Sequence, residues 1–272
     1  MDGYITSRQN QKILEACALS QKKYREEKGL FCFEGKKLLW EAAARGVPLT
    51  AVFLREDLTA EEVLPRALPA GCAVYSVSEG VYDKISLEKS PEGVFCIAKT
   101  LDKFHKFATI YYNRDFFEAD APTLLFAVSV RDPGNLGSII RSAAAFSCGG
   151  LILSDDCADL YAPRTVRASM GTMFDFPVLT VSDVRASVEA LKKDGIRVYA
   201  GALDRTAVAL PDLPRGERVC ALIGNEGHGL SADVTAVCDG KLFIPMSARA
   251  ESLNASIAAS VILYDRSIRI KG

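Results

Sequence analysis

The sequence feature that most constrains the fold is the apolar run Leu-Leu-Phe-Ala-Val-Ser-Val at residues 124–130. A strand with one face in water alternates apolar and polar residues, whereas a parallel strand covered on both faces reads as a continuous apolar run. We therefore predict a buried parallel strand here. Apolar runs at 150–153, 197–200, 219–223 and 241–244 predict its neighbours, so the second half of the chain is expected to be an α/β unit.

The first hundred residues predict a smaller α/β unit of their own. Helical spacing covers residues 9–27 and 36–45, and a capping-box pattern at Thr59 predicts a helix through "TAEEVLPRAL". Apolar runs predict strands at 31–33, 49–54, 73–77 and 93–98. The expected organisation is a domain at 1–105, a connection at 106–121 and a larger domain at 122–272.

Composition excludes several classes of protein. The 272 residues hold 33 Lys and Arg against 34 Asp and Glu, a net charge of −1, so any affinity for nucleic acid must come from a local patch. Residues 1–50 hold nine basic and six acidic residues, which fits either an RNA-binding patch or a solvated helix face.

No apolar run or signal-peptide core predicts a membrane or secreted protein. Eight scattered cysteines without a CxxC pair predict no metal site. A cytoplasmic protein is expected.

Three of the strands predicted in the second unit are followed by unusual loops. These loops are "DPGNLG" at 132–137, "GNEGHG" at 224–229, and Ile244–Met246 together with residues 251–256, which open the last predicted helix. Any one of them alone would fit ordinary turn chemistry. Because ligands bind beyond the carboxyl ends of strands in open parallel sheets, three such loops predict one pocket at that edge.

Common signatures of nucleotide and acyl chemistry are missing. The sequence contains no G-x-G-x-x-G, no Walker lysine motif and no G-x-S-x-G nucleophile elbow. Its two histidines are His105 and His228, and a histidine between glycines, as at 228, is more often a surface residue. Nucleotide hydrolysis and acyl transfer therefore lose support.

Taken together and in order, the three loops resemble the three motifs of the SpoU/TrmH family of SPOUT-class RNA ribose 2′-O-methyltransferases. The matching segments are "DPGNLGSIIRSAAAF", "LIGNEGHGLS", "FIPMSARAESLNASIAASVILYD" and the intermediate "YAPRTVRASMGTMFDFPV". The opening "KYREEKGLFCFEGKKLLWEA" is similar to the substrate-binding domain that precedes the catalytic domain in many members. The likeness covers most of the chain apart from residues 101–121.

The resemblance implies a C-terminal α/β trefoil-knot domain with a parallel sheet, preceded by a smaller α/β RNA-binding domain. It also implies S-adenosylmethionine as cofactor, a homodimer through the C-terminal domain, and an RNA substrate, with ribosomal RNA favoured over transfer RNA. Glycines 224, 227 and 229 would let the backbone approach the cofactor without Cβ clashes. The expected cofactor-binding residues are Leu222, Gly224, Asn225, Gly227, Ile244, Met246, Ser252 and Leu253.

The resemblance also selects candidate catalytic residues, which are Asn135, Arg141, Glu226, Ser252 and Asn254. Methyl transfer requires the ribose hydroxyl to lose its proton, and the family's matching arginine is proposed to assist that step. Because an arginine stays protonated, we favour for Arg141 a role as phosphate clamp and oxyanion stabiliser over that of a base. Asn135 would hold its loop or the ribose, Glu226 would orient an arginine, and Ser252 and Asn254 would cap the last helix while lining the site.

Other functions stay open at the level of sequence. One alternative is a non-catalytic RNA-binding protein of the same fold, against which the intact candidate residues argue. A methyltransferase directed at transfer RNA is another, and a nucleotide-binding enzyme of doubly wound type would need a phosphate loop that the sequence lacks. The sequence does not identify the modified RNA, nucleotide or base.

Overall fold

The structure is a computed structural model that describes residues 1–101, 105–107, 123–204, 207–214, 216–225 and 227–270, with only the backbone of 105–107 and 269–270. The chain divides into two compact units. The smaller unit comprises Met1–Asp102 together with Asp159–Asp175, and the larger comprises Lys103–Ala158 together with Phe176–Gly272.

The described strands and helices alternate along the chain. The strands are β1 (Gly3–Ile5), β2 (Leu30–Glu34), β3 (Leu49–Arg55), β4 (Ala73–Val77), β5 (Val94–Lys99), β6 (His105–Phe107), β7 (Thr123–Ala127), β8 (Leu151–Ser154), β9 (Val178–Val181), β10 (Arg197–Gly201), β11 (Val208–Ala209), β12 (Val219–Ile223) and β13 (Gly240–Phe243). The helices are α1 (Gln11–Ala18), α2 (Lys22–Lys28), α3 (Lys36–Ala44), α4 (Ala60–Val63), α5 (Glu79–Ile85), α6 (Pro133–Ala145), α7 (Pro163–Ser169), α8 (Val184–Lys193), α9 (Ala232–Val237) and α10 (Ala255–Ile270).

The larger unit is built on a parallel sheet in the order β11-β13-β10-β12-β7-β8-β9-β6. Each described pairing in it is parallel, and all five residues of β7 and of β12 are buried. Helices cover this sheet with their apolar faces, for example Ile139 and Ile140 of α6 and Val188 and Leu191 of α8. The α/β class with a parallel sheet, predicted from the apolar runs, is confirmed, while the trefoil knot stays a prediction.

The smaller unit has a mixed sheet in the order β1-β4-β3-β5-β2. Strands β1, β4 and β3 run parallel, whereas β5 is antiparallel to both β3 and β2. Phe53 of β3 and Phe95 of β5 lie in its core with Ile13 of α1 and Tyr82 of α5. The sheet thus carries buried side chains against α1 and α5.

Residues 159–175 belong by their contacts to the smaller unit. The buried Arg25 of α2 forms an ion pair of 2.5 Å with Asp159, and the ring centroid of Phe31 lies 4.8 Å from that of Tyr161. The ring of Phe174 lies 5.5 Å from that of Phe33. The boundary predicted at residue 122 assigns this segment to the C-terminal domain, so the contacts divide the chain differently from the sequence prediction.

Two predicted helices differ from the structure for local reasons. The helix predicted over 9–27 is two helices, because the Arg25 guanidinium donates to the carbonyls of Leu19 at 2.7 Å and Ser20 at 2.9 Å and so holds the break between α1 and α2. The helix predicted after Thr59 has the expected capping box but ends at Val63. Leu64 is extended because it precedes a proline, which disfavours the helical conformation.

Several short elements carried no sequence prediction, namely β1, α5, β6, α7, β9, β11 and α9. They have two to seven residues each, too few for a periodic pattern to stand out. Across the described ranges, the helices all fall short of the length and apolar character that crossing a bilayer requires.

Candidate functional site

A cavity of about 1050 Å³ lies beyond the carboxyl ends of β10, β12 and β13. Because these strands are neighbours in a parallel sheet, segments distant in sequence meet at this one edge. Among the predicted cofactor residues, those that line the cavity are Gly224, Asn225, Gly227, Ile244, Met246, Ser252 and Leu253. The exception is Leu222, which is fully buried within β12 and lies outside the lining.

Asn225 organises the loop that follows β12. Its side-chain oxygen accepts from the Gly227 N–H at 2.8 Å, and its carbonyl accepts from the Gly229 N–H at 2.8 Å. Its amide nitrogen donates to the Ser129 carbonyl at 2.9 Å, just beyond the end of β7. The loop is therefore closed on itself and anchored to the neighbouring strand.

Gly224 is required by the backbone of its own loop. A Cβ there would lie 2.4 Å from the carbonyl carbon of Gly229 and 2.6 Å from the nitrogen of Leu230. The loop therefore requires a glycine at 224 for its own packing, and the interpretation that Gly224 also admits the cofactor stays a prediction. Gly229 has a φ of 65°, a conformation that glycine adopts without strain.

A polar cluster beneath the loop fixes its anchor, Ser129. Ser129 has a φ of 57°, an uncommon conformation for a residue with a Cβ. Its N–H donates to the Ser154 hydroxyl at 2.8 Å, and the hydroxyls of Ser129 and Ser154 each donate to Asp156 at 2.6 Å. Burial raises the pKa of Asp156, but the hydrogen bonds from Ser129, Ser154 and Arg131, with the positive charge of Arg131, outweigh it and leave that pKa below its ordinary value, so the carboxylate stays ionised.

The first loop predicted from the sequence, at residues 132–137, is helical from Pro133 onward. Asp132 accepts from the Asn135 N–H at 2.8 Å as the N-cap of α6, and Pro133 occupies the first helical position, where its missing N–H costs nothing. The prediction that "DPGNLG" forms a loop before the helix is therefore wrong. Arg141 lies further along α6, is exposed, and is not part of the cavity lining.

The first and third motifs meet through two asparagines. The Asn254 amide nitrogen donates to the Asn135 side-chain oxygen at 3.0 Å. The Asn254 side-chain oxygen accepts from the Ser256 N–H at 2.9 Å and from the Ser256 hydroxyl at 2.7 Å, so Asn254 caps α10 as predicted. Because its neighbours Leu253 and Ala255 line the cavity, Asn135 is connected to the cavity wall by one hydrogen bond.

Glu226, the remaining catalytic candidate, lies outside the described residues. Ser252 is exposed and lines the cavity, whereas Asn135 and Asn254 do not line it. The structure therefore brings the cofactor candidates together in one cavity and links Asn135 and Asn254 beside it.

Sequence reasoning missed part of the cavity wall. The segment Gly201–Leu203 after β10 lines it, as do Ala258 and Ile262 of α10 and the exposed His228. The available signal was Gly201 itself, a glycine at a strand end, where a Cβ would lie 2.8 Å from the Leu222 carbonyl. Within the described part of the chain, no group of three or more His, Cys, Asp or Glu residues could hold a metal ion.

Comparisons with known proteins match both units. The model of the "SpoU rRNA Methylase family" matches residues 122–264, and that of the "MRM3-like substrate binding domain" matches 10–96. The chain is 30% identical over 260 residues to the 23S rRNA (guanosine(2553)-2′-O)-methyltransferase RlmP of Bacillus subtilis strain 168, covering 96% of this chain and 97% of that protein.

Two solved structures with bound AdoMet share the fold. The rRNA methyltransferase of Sinorhizobium meliloti has a TM-score of 0.81 and 29% identity, with 98% of each chain covered. The SpoU methyltransferase AviRb of Streptomyces viridochromogenes has a TM-score of 0.79 and 27% identity, covering 96% of this chain and 98% of that one. Since the family model spans just over half of the chain and the RlmP match spans nearly all of it, the protein belongs to the SpoU family of RNA methyltransferases, whose methyl donor is S-adenosylmethionine.

Proposed function

We propose that the protein transfers a methyl group from S-adenosylmethionine to the 2′-hydroxyl of a ribose in ribosomal RNA. The observation that carries this proposal is the cavity at the carboxyl ends of β10, β12 and β13, which gathers seven of the eight predicted cofactor residues. The likeness to RlmP, a 2′-O-methyltransferase of a guanosine in 23S rRNA, supports both the ribose hydroxyl and ribosomal RNA over transfer RNA.

The cavity fits S-adenosylmethionine by its size and lining. At Gly201 and Gly224 the cavity wall is backbone, because glycine has no side chain. Peptide N–H and C=O groups there are within reach of an adenine and a ribose. Ile244, Met246 and Leu253 supply apolar surface for the adenosine. When bound there, the cofactor supplies an electrophilic methyl group, while the protein orients the acceptor and keeps water away.

We propose that Arg141 is the residue that acts on the acceptor hydroxyl of the ribose. The exposed guanidinium can grip a phosphate beside the target ribose and stabilise the 2′-oxygen as its proton passes to solvent water. The exposed position of Arg141 outside the cavity lining suits contact with RNA rather than with the cofactor. Asn135 and Asn254 would hold the first turn of α6 against the cavity wall, and Glu226 is retained as a candidate for orienting an arginine.

The proposed reaction is tested by its product. Purified protein, radiolabelled S-adenosylmethionine and ribosomal RNA from a strain lacking the protein should yield RNA that releases a 2′-O-methylated nucleoside on complete digestion. Label found on a base instead of the ribose would contradict the assigned acceptor. Transfer RNA as the preferred substrate under the same conditions would contradict the assigned RNA class.

We propose that residues 1–105 dock RNA and do no chemistry. The match to a substrate-binding domain at 10–96 and the local excess of basic residues in 1–50 support this role. Phosphate contacts by these lysines and arginines would make RNA affinity fall as salt rises. An RNA affinity that did not change with salt would contradict this assignment.

We also propose a homodimer through α10 of the larger unit. Ile257, Tyr264 and Ile268 are each about half exposed, and their spacing of seven and four residues places them on one side of the helix. A two-fold contact would cover this apolar strip with its own copy. Sedimentation should give a dimer at micromolar concentration and a monomer for Tyr264→Glu, and a fully active wild-type monomer would contradict the dimer.

A further inference from the structure

Trp40 on α3 is exposed although its neighbours on the same helix are buried. Leu38, Leu39 and Ala42 are buried, whereas Trp40, the single tryptophan of the chain, keeps 49% of its surface exposed. A tryptophan half exposed to water leaves a large aromatic surface without the apolar burial that normally stabilises it. Core packing therefore does not explain this residue.

The exposed ring of Trp40 is held in place at one edge. Its indole Nε1 donates to the Val63 carbonyl at 2.7 Å, which ties α3 to the end of α4. An indole with this hydrogen bond loses rotational freedom before any ligand arrives, so less conformational entropy is lost on binding. The ring is a preorganised flat surface.

Positive charge lies over and next to this ring. The Lys36 ammonium lies over the Trp40 ring, 5.3 Å from its centroid, and the exposed Lys37 lies three residues before Trp40 on the same helix. Two acids close to this surface already have partners: Glu92 accepts from the backbone N–H of Lys36 at 2.8 Å, and Glu41, the residue after Trp40, forms an ion pair with Arg45. An aromatic face next to lysines is the combination with which proteins bind single-stranded RNA, through base stacking and phosphate contacts.

We propose that Trp40, with Lys36 and Lys37, forms a stacking platform for an unpaired base of the RNA substrate. The inference rests on the proposed RNA-directed function and adds that the smaller unit recognises single-stranded nucleotides through this residue. A base in a regular duplex is stacked on its neighbours and cannot reach the ring, so the platform selects loops, bulges or ends.

The single tryptophan makes the platform directly observable in the full-length protein. Titration with short single-stranded polyadenylate should quench Trp40 fluorescence, with a midpoint that matches binding followed by anisotropy of labelled RNA. An RNA duplex of equal length should bind without comparable quenching. Saturating single-stranded RNA that leaves the fluorescence unchanged, or equal quenching by the duplex, would overturn the platform.

Substitutions separate stacking from the structural hydrogen bond. Trp40→Leu should weaken binding of single-stranded polyadenylate roughly tenfold, while Trp40→Phe, which keeps a ring but loses the bond to Val63, should stay within about threefold of wild type. Tyr4→Leu is the matched control, since Tyr4 is 57% exposed and paired with Glu56 rather than with a lysine. Equal losses for Trp40→Phe and Trp40→Leu, with both variants folded by circular dichroism, would contradict stacking.

The platform and the proposed reaction fail in different ways. Methyl transfer to ribosomal RNA with unchanged Trp40 fluorescence would overturn the platform and leave the reaction standing. Quenching by single-stranded RNA without methyl transfer to any RNA would support the platform and overturn the reaction.

Discussion

The two sheets of the molecule place their strand ends differently. In the larger unit each described pairing is parallel, so the carboxyl ends lie at one edge, and the cavity of about 1050 Å³ lies there. In the smaller unit β5 runs antiparallel to β2 and β3, so strand ends of both kinds occur at each edge. In the parallel sheet, loops distant in sequence meet at one edge and form a pocket. In the smaller unit, the proposed RNA contact is a single side chain on a helix, Trp40.

Arg141→Ala tests most strongly whether the chemistry belongs to the larger unit. We expect single-turnover methyl transfer at saturating cofactor to fall roughly 100- to 1000-fold, because a donor to the developing oxyanion is lost. Cofactor affinity should be kept, since Arg141 does not line the cavity. Arg141→Lys should restore little activity because an ammonium lacks the planar fork.

Arg185→Ala is the control for Arg141, because Arg185 is another exposed helical arginine of the same unit. Its rate should equal that of wild type. A rate for Arg141→Ala within about threefold of wild type, a change below about 1 kcal/mol, would remove Arg141 from the mechanism.

Arg25→Ala tests the integrity of the smaller unit. The change leaves Asp159 without its buried partner and frees the carbonyls of Leu19 and Ser20, so the free energy of unfolding should fall by about 3 kcal/mol. Lys22→Ala removes the exposed pair with Glu26 and should cost less than about 0.5 kcal/mol. Urea unfolding measures both, and equal effects would contradict the buried pair's role.

Gly224→Ala asks whether the strand-end loop tolerates a single methyl group. Its Cβ would meet the backbone of Gly229 and Leu230, so we expect stability to fall by about 2 kcal/mol and cofactor affinity to fall with it. Gly80→Ala in α5 of the smaller unit is the control, because a Cβ there meets nothing within 4 Å. Thermal unfolding with and without S-adenosylmethionine gives both quantities. A Gly224→Ala protein with the stability and cofactor affinity of wild type would contradict the clash within the loop.

Asp156→Asn should have the smallest effect, about 1 kcal/mol of stability at neutral pH, since its side chain is 43% exposed. Hydrogen bonds lower the pKa of Asp156 in the folded protein below its ordinary value of 3.8. The extra free energy of unfolding that wild type has over Asp156→Asn is therefore present above pH 3.8 and is lost as the pH falls through the lower pKa of the folded protein. Urea unfolding of both proteins at a series of pH values measures this difference. A difference that grows as the pH falls would contradict the stabilising role of the ionised Asp156.

Local signals in the sequence predicted much of the fold. The strands at 73–77 and 219–223 have their predicted bounds, because an apolar run depends on neighbouring residues alone. The loop prediction for residues 133–137 is wrong because Pro133 and Gly134, although typical of turns, follow Asp132, which caps a helix that begins at Pro133.

The parts of the site that sequence could not supply depend on contacts between distant segments. Ser129 and Asp156 have no motif of their own and meet only because β7 and β8 are neighbours in the sheet. The clash that requires a glycine at 224 comes from the loop's return path, which spacing along the chain does not reveal. The sequence thus predicted that the second and third loops meet at one cavity, whereas the contacts that support them come from segments distant in sequence.

The assignment of residues 159–175 to the smaller unit has a consequence for protein engineering. The chain passes between the two units at three points, near residues 102, 158 and 175, rather than once through a single linker. A hybrid that combines the smaller unit of one relative with the larger unit of another therefore needs three junctions. A hybrid joined only near residue 105 would place Tyr161 and Phe174 against foreign partners in place of Phe31 and Phe33.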